Sequence, residues 1–281
     1  MGILSSNNPL AKHFRQPILY VKLPSNGRWY AEGSLELPVN GEIPIYAMTA
    51  KDEITLKTPD ALLNGASTVH TITSCCPSIK DPWKMPLVDL DTVLISIRIA
   101  SYGNEMQFTC KCPKCDTTVE KGLDLSVILD KIKLADWDKE IKSQNLTIRL
   151  KPQSYEEYNK NNMTNFEEQR ILQLIRDQDI PDDEKTAKFD EMFRKLLEAG
   201  IGQVCKSIAS ISADDAVVTD PDHIAEFFNN CDRNIWEDVK RELELIKESA
   251  KYTEVNITCT NDECKEEFIT PFVFEQTNFF G

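Results

Sequence analysis

The residues best equipped for chemistry in this 281-residue chain are its nine cysteines, five of which fall in two tight clusters. Phe108-Thr109-Cys110 leads into Cys112-Pro113-Lys114-Cys115, and Ile257-Thr258-Cys259 leads into a turn that ends at Cys264. Each segment reads as an alternating strand entering a cysteine turn and leaving as another strand. The first is a CxxC knuckle; the second has four residues between its thiols. Tight turns of this length present two sulfurs on one side, and two such turns supply the four thiolates of a tetrahedral structural zinc site. The candidate ligands are Cys112, Cys115, Cys259 and Cys264. Cys110 rivals Cys112, because Cys110 and Cys115 repeat the spacing of the second turn. Cys112 is preferred, since CPxC is the usual knuckle. With all four positions taken by protein, such a site braces a fold and leaves no open position for catalysis.

The two halves are far apart in the chain, with 144 positions from Cys115 to Cys259. Closing that loop costs about 4.4 kcal/mol plus a constant. Structural zinc contributes about 10–16 kcal/mol in small peptides, which exceeds that cost. The other cysteines read as packing. Cys75 and Cys76 are adjacent, a poor spacing for one tetrahedral site, and Cys205 and Cys231 lie on apolar stretches where a free thiol acts as a small hydrophobe. An odd cysteine count with no secretory leader pattern argues for a reducing compartment.

Catalytic signatures are missing. The three histidines, His13, His70 and His223, are scattered and none is near a cysteine pair. There is no HExxH, GxSxG or phosphate-binding loop, and ten glycines are few for one. Met1-Gly2 with Ser6 matches the myristoylation pattern only formally. The expectation is a protein that is not an enzyme.

Around the cysteines, three kinds of element are needed to position them. Residues 17–23 and 35–48 read as short extended runs, with Asn40-Gly41 as a hairpin signal. Thr58-Pro59-Asp60 reads as a helix start, and further helices are expected over 68–76 and 89–101. Val93, Leu94, Ile97 and Ile99 crowd most of the circumference of the last one, which predicts burial. A short helical stretch is expected at 125–132, and Leu146, Ile148 and Leu150 alternate as a strand. From 154 to 251 the pattern predicts almost continuous helix. Thr164 and Glu167 read as a capping box, Val204, Cys205, Ile208 and Ile211 as one helical face, and Asp220-Pro221 as a helix start. Ile235, Trp236, Val239, Leu243 and Ile246 form the last apolar stripe.

Charge is distributed unevenly. The formal net charge is −14; residues 1–150 carry 17 basic and 17 acidic side chains, while residues 151–250 carry 13 and 23. A surface of that sign repels polyanions, which excludes a general nucleic-acid binder. The acidic block is a solvated face on the plain reading, and a docking surface for a basic partner on the sharper one. No apolar run is long enough to span a bilayer.

The predicted fold class is α+β in three parts: a mixed α/β region at 1–104, a split zinc-ribbon-like module at 105–126 and 252–281, and an acidic, mainly helical insertion at 127–251. The runs DEITLKTPDALLNG (52–65), CCPSIKDPWKMPLVDLDTVLISIRIASYG (75–103) and CPKC (112–115) resemble the baseplate hub protein family of T-even-like tailed bacteriophages. The ending FEQTNFF (274–280) is similar to the aromatic C-terminus of that family. The resemblance covers residues 40–125 most closely. It implies a non-enzymatic virion protein of the tail baseplate, assembled in the bacterial cytoplasm and present in a symmetric assembly. Its partners would be hub and tape-measure proteins. The alternative role is an assembly chaperone that holds a hub or tape-measure segment and then leaves.

Overall fold

The computed structural model describes residues 9–56, 65–177, 190–191, 194–195, 200–214, 216–249 and 254–271. The expected helix start at Thr58-Pro59-Asp60, the myristoylation pattern and the aromatic C-terminus lie outside them.

The first core is built on β1 (Pro17–Lys22) paired antiparallel with β2 (Glu42–Tyr46). Alternation sends Val21, Ile43 and Ile45 inward and leaves Ile18 and Tyr20 exposed. The expected hairpin at Asn40-Gly41 does not join these strands directly: residues 23–41 intervene, and the turn serves to launch β2, with the Gly41 amide bonded to the Pro38 carbonyl at 2.8 Å. Against this sheet pack α1 (Ala50–Leu56), α2 (Ala66–Cys75) and α3 (Leu90–Tyr102). The last two lie within two residues of the ranges expected from sequence. In α3, Val93, Leu94, Ile95 and Ile97 are all buried, which is why its apolar positions go most of the way round. The short α4 (Leu125–Lys131) and Tyr155 complete the same core, and the Trp83 and Tyr155 rings stack at 5.5 Å.

Polar groups inside this core are tied down in two places. Asp89, at the head of α3, turns its carboxylate back to Ser25, whose amide donates to Oδ1 at 2.8 Å and whose hydroxyl donates to Oδ2. Asp52 closes a capping box on α1, accepting from the Thr49 amide and hydroxyl at 2.8 Å each. Ser74 Oγ donates to the same Asp52 oxygen at 2.9 Å, and Arg15 bonds the Ser74 carbonyl at 2.7 Å.

Gly65 opens α2 with φ +73, a left-handed conformation that side chains disfavour. A Cβ there would also lie 2.8 Å from the Tyr155 hydroxyl and 2.7 Å from Asn159 Oδ1. Gly65→Ala is expected to lower unfolding free energy by about 2 kcal/mol in urea titrations, from strain and contact together.

The second core lies under the four-stranded antiparallel sheet β5 (Glu140–Ser143), β6 (Leu146–Leu150), β7 (Ile208–Ala213) and β8 (Ala216–Val218), in that order. Two helices follow, α6 (Pro221–Asn230) and α7 (Arg233–Ser249). Ile224 and Phe228 of α6 and Ile235, Val239, Leu243 and Ile246 of α7 are buried against Ile148, Leu150 and Ile208. Asp220 caps α6 as expected, accepting from the Asp222 and His223 amides at 3.0 Å.

Two sequence expectations fail here. The stretch read as continuous helix holds β7 and β8, with helix at 200–206 stopping before Ile208. A bulge is the reason. Leu150 pairs with Ile208 but Arg149 pairs with Ser210, so β7 carries one extra residue. The extra residue shifts the alternation, and Ile208 and Ile211, three apart, both face the core. A spacing that looks helical is here a bulged strand. The second failure is the capping box at Thr164. The long helix α5 (Tyr155–Asp177) runs through it, and Thr164 Oγ1 donates back to the Lys160 carbonyl at 3.0 Å. The box is Ser154 with Glu157 instead: the Ser154 amide donates to Glu157 Oε2 at 2.8 Å and the Glu157 amide to Ser154 Oγ at 3.2 Å. Ser154→Ala should therefore cost about 1 kcal/mol in thermal unfolding and Thr164→Ala less than half of that.

Candidate metal centre

Two hairpins carry the cysteines. The strand β3 (Glu105–Lys111) pairs with β4 (Thr118–Asp124), and β9 (Glu254–Thr258) with β10 (Glu267–Pro271). Their tips close alike. The Cys112 amide donates to the Thr117 carbonyl at 2.9 Å, and the Cys259 amide to the Glu266 carbonyl at 2.8 Å. The residue after each second cysteine is left-handed, Asp116 at φ 57 and Lys265 at φ 46. The second tip is two residues longer. Asn261 takes up the excess, accepting from the Glu263 amide at 3.0 Å through its side chain and from the Cys264 amide at 3.0 Å through its carbonyl. A four-residue gap thus presents its sulfurs as a CxxC does.

The four sulfurs of Cys112, Cys115, Cys259 and Cys264 lie within 4.8 Å of one another. Cys112 is 3.9 Å from Cys264, and Cys115 is 3.5 Å from Cys259. Four thiolates on a tetrahedral zinc at its usual bond length sit about 3.8 Å apart, so the donor set and its spacing fit that ion. Cys110 is not in the group; it sits on β3 opposite Val119. Among the described residues no other set of three or more cysteine, histidine or carboxylate side chains converges in this way. The buried cluster around the sulfurs is small, with Cys112, Val119, Ile257 and Cys259 at its heart. Lys114 and Glu266 pair across the two tips at 2.7 Å, and Lys121 donates to the Asn256 carbonyl.

The electrostatics are those of thiols that cannot all ionise together. The Thr117 hydroxyl and amide beside Cys115 pull its thiol down to about 6. The Asn261 amide pulls Cys259 down too, but burial and the neighbouring sulfurs outweigh it and push that thiol up to about 12. A divalent cation at the centre favours thiolate at every position, so its binding releases protons.

The remaining candidates do not join a site. Burial, then the nearby Asp52 carboxylate, pushes Cys75 up to about 11, and burial raises Cys76 further. Neither is a nucleophile. Burial also raises Cys205 and Cys231 in the second core. His70 Nε2 lies 3.3 Å from Asp52 Oδ1, and His223 stays beside its own cap Asp220 at 3.9 Å.

The model of one protein family, described as T4 bacteriophage base plate protein, matches residues 30–281. This chain belongs to the T4-like baseplate protein family. The match spans both cysteine hairpins and everything between them, so the split architecture is contained in the family region. As a baseplate protein it is a component of the phage tail and has other tail proteins as partners. No helix among the described residues is long and apolar enough to cross a membrane. No curated protein and no solved structure matches the chain.

Sequence reasoning missed the groups that shape the centre: Thr117 beside Cys115, Asn261 in the longer tip, and the Lys114–Glu266 pair. Asn-Asp at 261–262 is a turn signal that marked the second tip; nothing in the sequence marked the other two.

Proposed function

We propose that this baseplate protein is a subunit of the tail hub, acting as a scaffold through contacts with hub and tape-measure proteins, with structural zinc held by Cys112, Cys115, Cys259 and Cys264. The convergence of two thiol pairs separated by 144 positions carries this reading. A site with four protein donors braces; it has no place for substrate. The division of the chain follows from it. The ribbon halves at 105–126 and 252–281 join the ends of the block at 127–251 and hold it against the region at 1–104. Val255 of the ribbon packs on the first core, in support of that arrangement. The acidic block steers encounter with basic segments of its neighbours.

Elemental analysis of the isolated protein, with quantitative protein analysis of purified tails, tests the reading. One zinc per chain and a fixed, stoichiometric copy number in tails are expected. Metal-free protein sinks the zinc assignment. Presence in infected cells but absence from finished tails replaces the subunit with the assembly chaperone.

A further inference from the structure

A pocket of about 390 Å³ lies at the seam between the two cores, within the range of about 300–1,000 Å³ that accepts a bound group. Leu87 of the first core, Ile132 just after α4, and Leu243 and Ile246 of α7 give it apolar walls. Trp137, from the segment before β5, also lines it, and its indole nitrogen is buried with no hydrogen-bond partner. On the polar side the Gln153 amide is already engaged, donating to the Gln203 carbonyl at 2.8 Å and to Ser207 Oγ at 3.1 Å. The charged lining residues are Asp91, Lys133 and Lys247, so both signs are present.

We propose that this pocket docks a large apolar side chain of another tail protein, carried on an uncharged stretch of that partner whose backbone carbonyl accepts from the Trp137 N–H. A buried N–H without an acceptor is unfavourable in the chain alone, and an acceptor brought in by the occupant removes that cost. With Asp91 set against the two lysines, the lining selects neither an anion nor a cation, so an uncharged stretch fits it. A second copy of this chain fits less well. The α7 wall belongs to the block at 151–250, which carries 13 basic and 23 acidic side chains and repels its like. A baseplate protein has other tail proteins as partners, and protein interfaces are anchored by a few large side chains seated in pockets of this kind. At the seam such a side chain touches both cores at once and fixes one against the other in the complex. The proposal rests on membership of the family. It is independent of the zinc reading and of the choice between hub subunit and assembly chaperone.

A lysine analogue bearing a photoreactive diazirine, placed at position 247 of the full chain in phage-infected cells, tests it, with the product identified by mass spectrometry. The expected result is a crosslink to another tail protein. Its yield should fall at least about tenfold on Ala135→Phe, which fills the pocket, and about fivefold on Trp137→Phe, which keeps a ring and removes the N–H. Urea midpoints close to that of the parent show that each variant folds. Where Ala135→Phe unfolds the chain, Trp137→Phe decides by itself. An unchanged yield in a folded variant overturns the proposal, as do a crosslink to a second copy of the chain alone and the absence of any crosslink.

Discussion

Cys259→Ser should yield a chain that retains no zinc after gel filtration and unfolds with a loss of at least about 4 kcal/mol. The effect is large because the small cluster of Cys112, Val119, Ile257 and Cys259 has little else to hold it. Replacing one thiolate leaves three donors, and the hydroxyl that takes its place is a weak ligand for zinc. Among the described residues, the β9–β10 hairpin is then held by the Lys114–Glu266 pair, the Lys121–Asn256 bond and apolar contact. Exposed pairs of this kind contribute about 1 kcal/mol at most. Cys110→Ser is the matched control: it should keep one zinc per chain, because Cys110 is outside the set of four converging sulfurs. Zinc content and urea midpoints, measured on both variants, decide the matter. Equal zinc in the Cys259 variant would remove the brace from this architecture.

The second large effect concerns Asp89. Burial pushes its carboxyl from 3.8 up to about 6, against the pull of the Ser25 hydroxyl and amide. The folded chain therefore binds this proton more tightly than the unfolded chain does. Stability from this group rises as pH falls through 6 and levels off below about 4, a gain of about 3 kcal/mol across the window. Asp89→Asn keeps an acceptor for the Ser25 amide and removes the titration. The difference in unfolding free energy between variant and parent should move toward the variant by about 3 kcal/mol as the pH rises from below 4 to 8. Taking the difference cancels the opposite contribution of Asp52, whose carboxyl is held below its ordinary value, despite burial, by hydrogen bonds from Thr49 and Ser74 and by the charge of Arg15. A pH-independent difference between the two proteins would show that Asp89 does not titrate in this window.

What was legible beforehand follows from local chemistry. The helix over 90–102, the cap at Asp220, the strand at 146–150 and both cysteine hairpins could be read because each carries its own signal: a crowded apolar circumference, an Asp-Pro start, period-two alternation, or thiols at knuckle spacing. The failures were local signals with a second interpretation. Ile208 and Ile211 stand at helical spacing because a bulge opposite Leu150 puts them on one face of a strand, and bulges depend on the partner strand. Thr164-x-x-Glu167 and Ser154-x-x-Glu157 are the same motif. Only the second coincides with the bridge from Ser154 to Pro86 that stops the chain from continuing the helix backwards.

Residue types and short spacings were enough to nominate four thiols and to give the class of the fold, since hairpin tips and amphipathic faces are local properties of the chain. Which sulfurs meet was decided by tertiary structure. Cys110 and Cys112 are nearly equivalent as letters, but Cys110 lies within β3 opposite Val119 while Cys112 lies past the strand's end at the tip, where its sulfur comes to 3.9 Å from that of Cys264. The same holds for the Ser25–Asp89 and Arg15–Ser74 contacts, whose partners are separated by 64 and 59 positions. The first of these is buried, and burial is a property of the packed molecule.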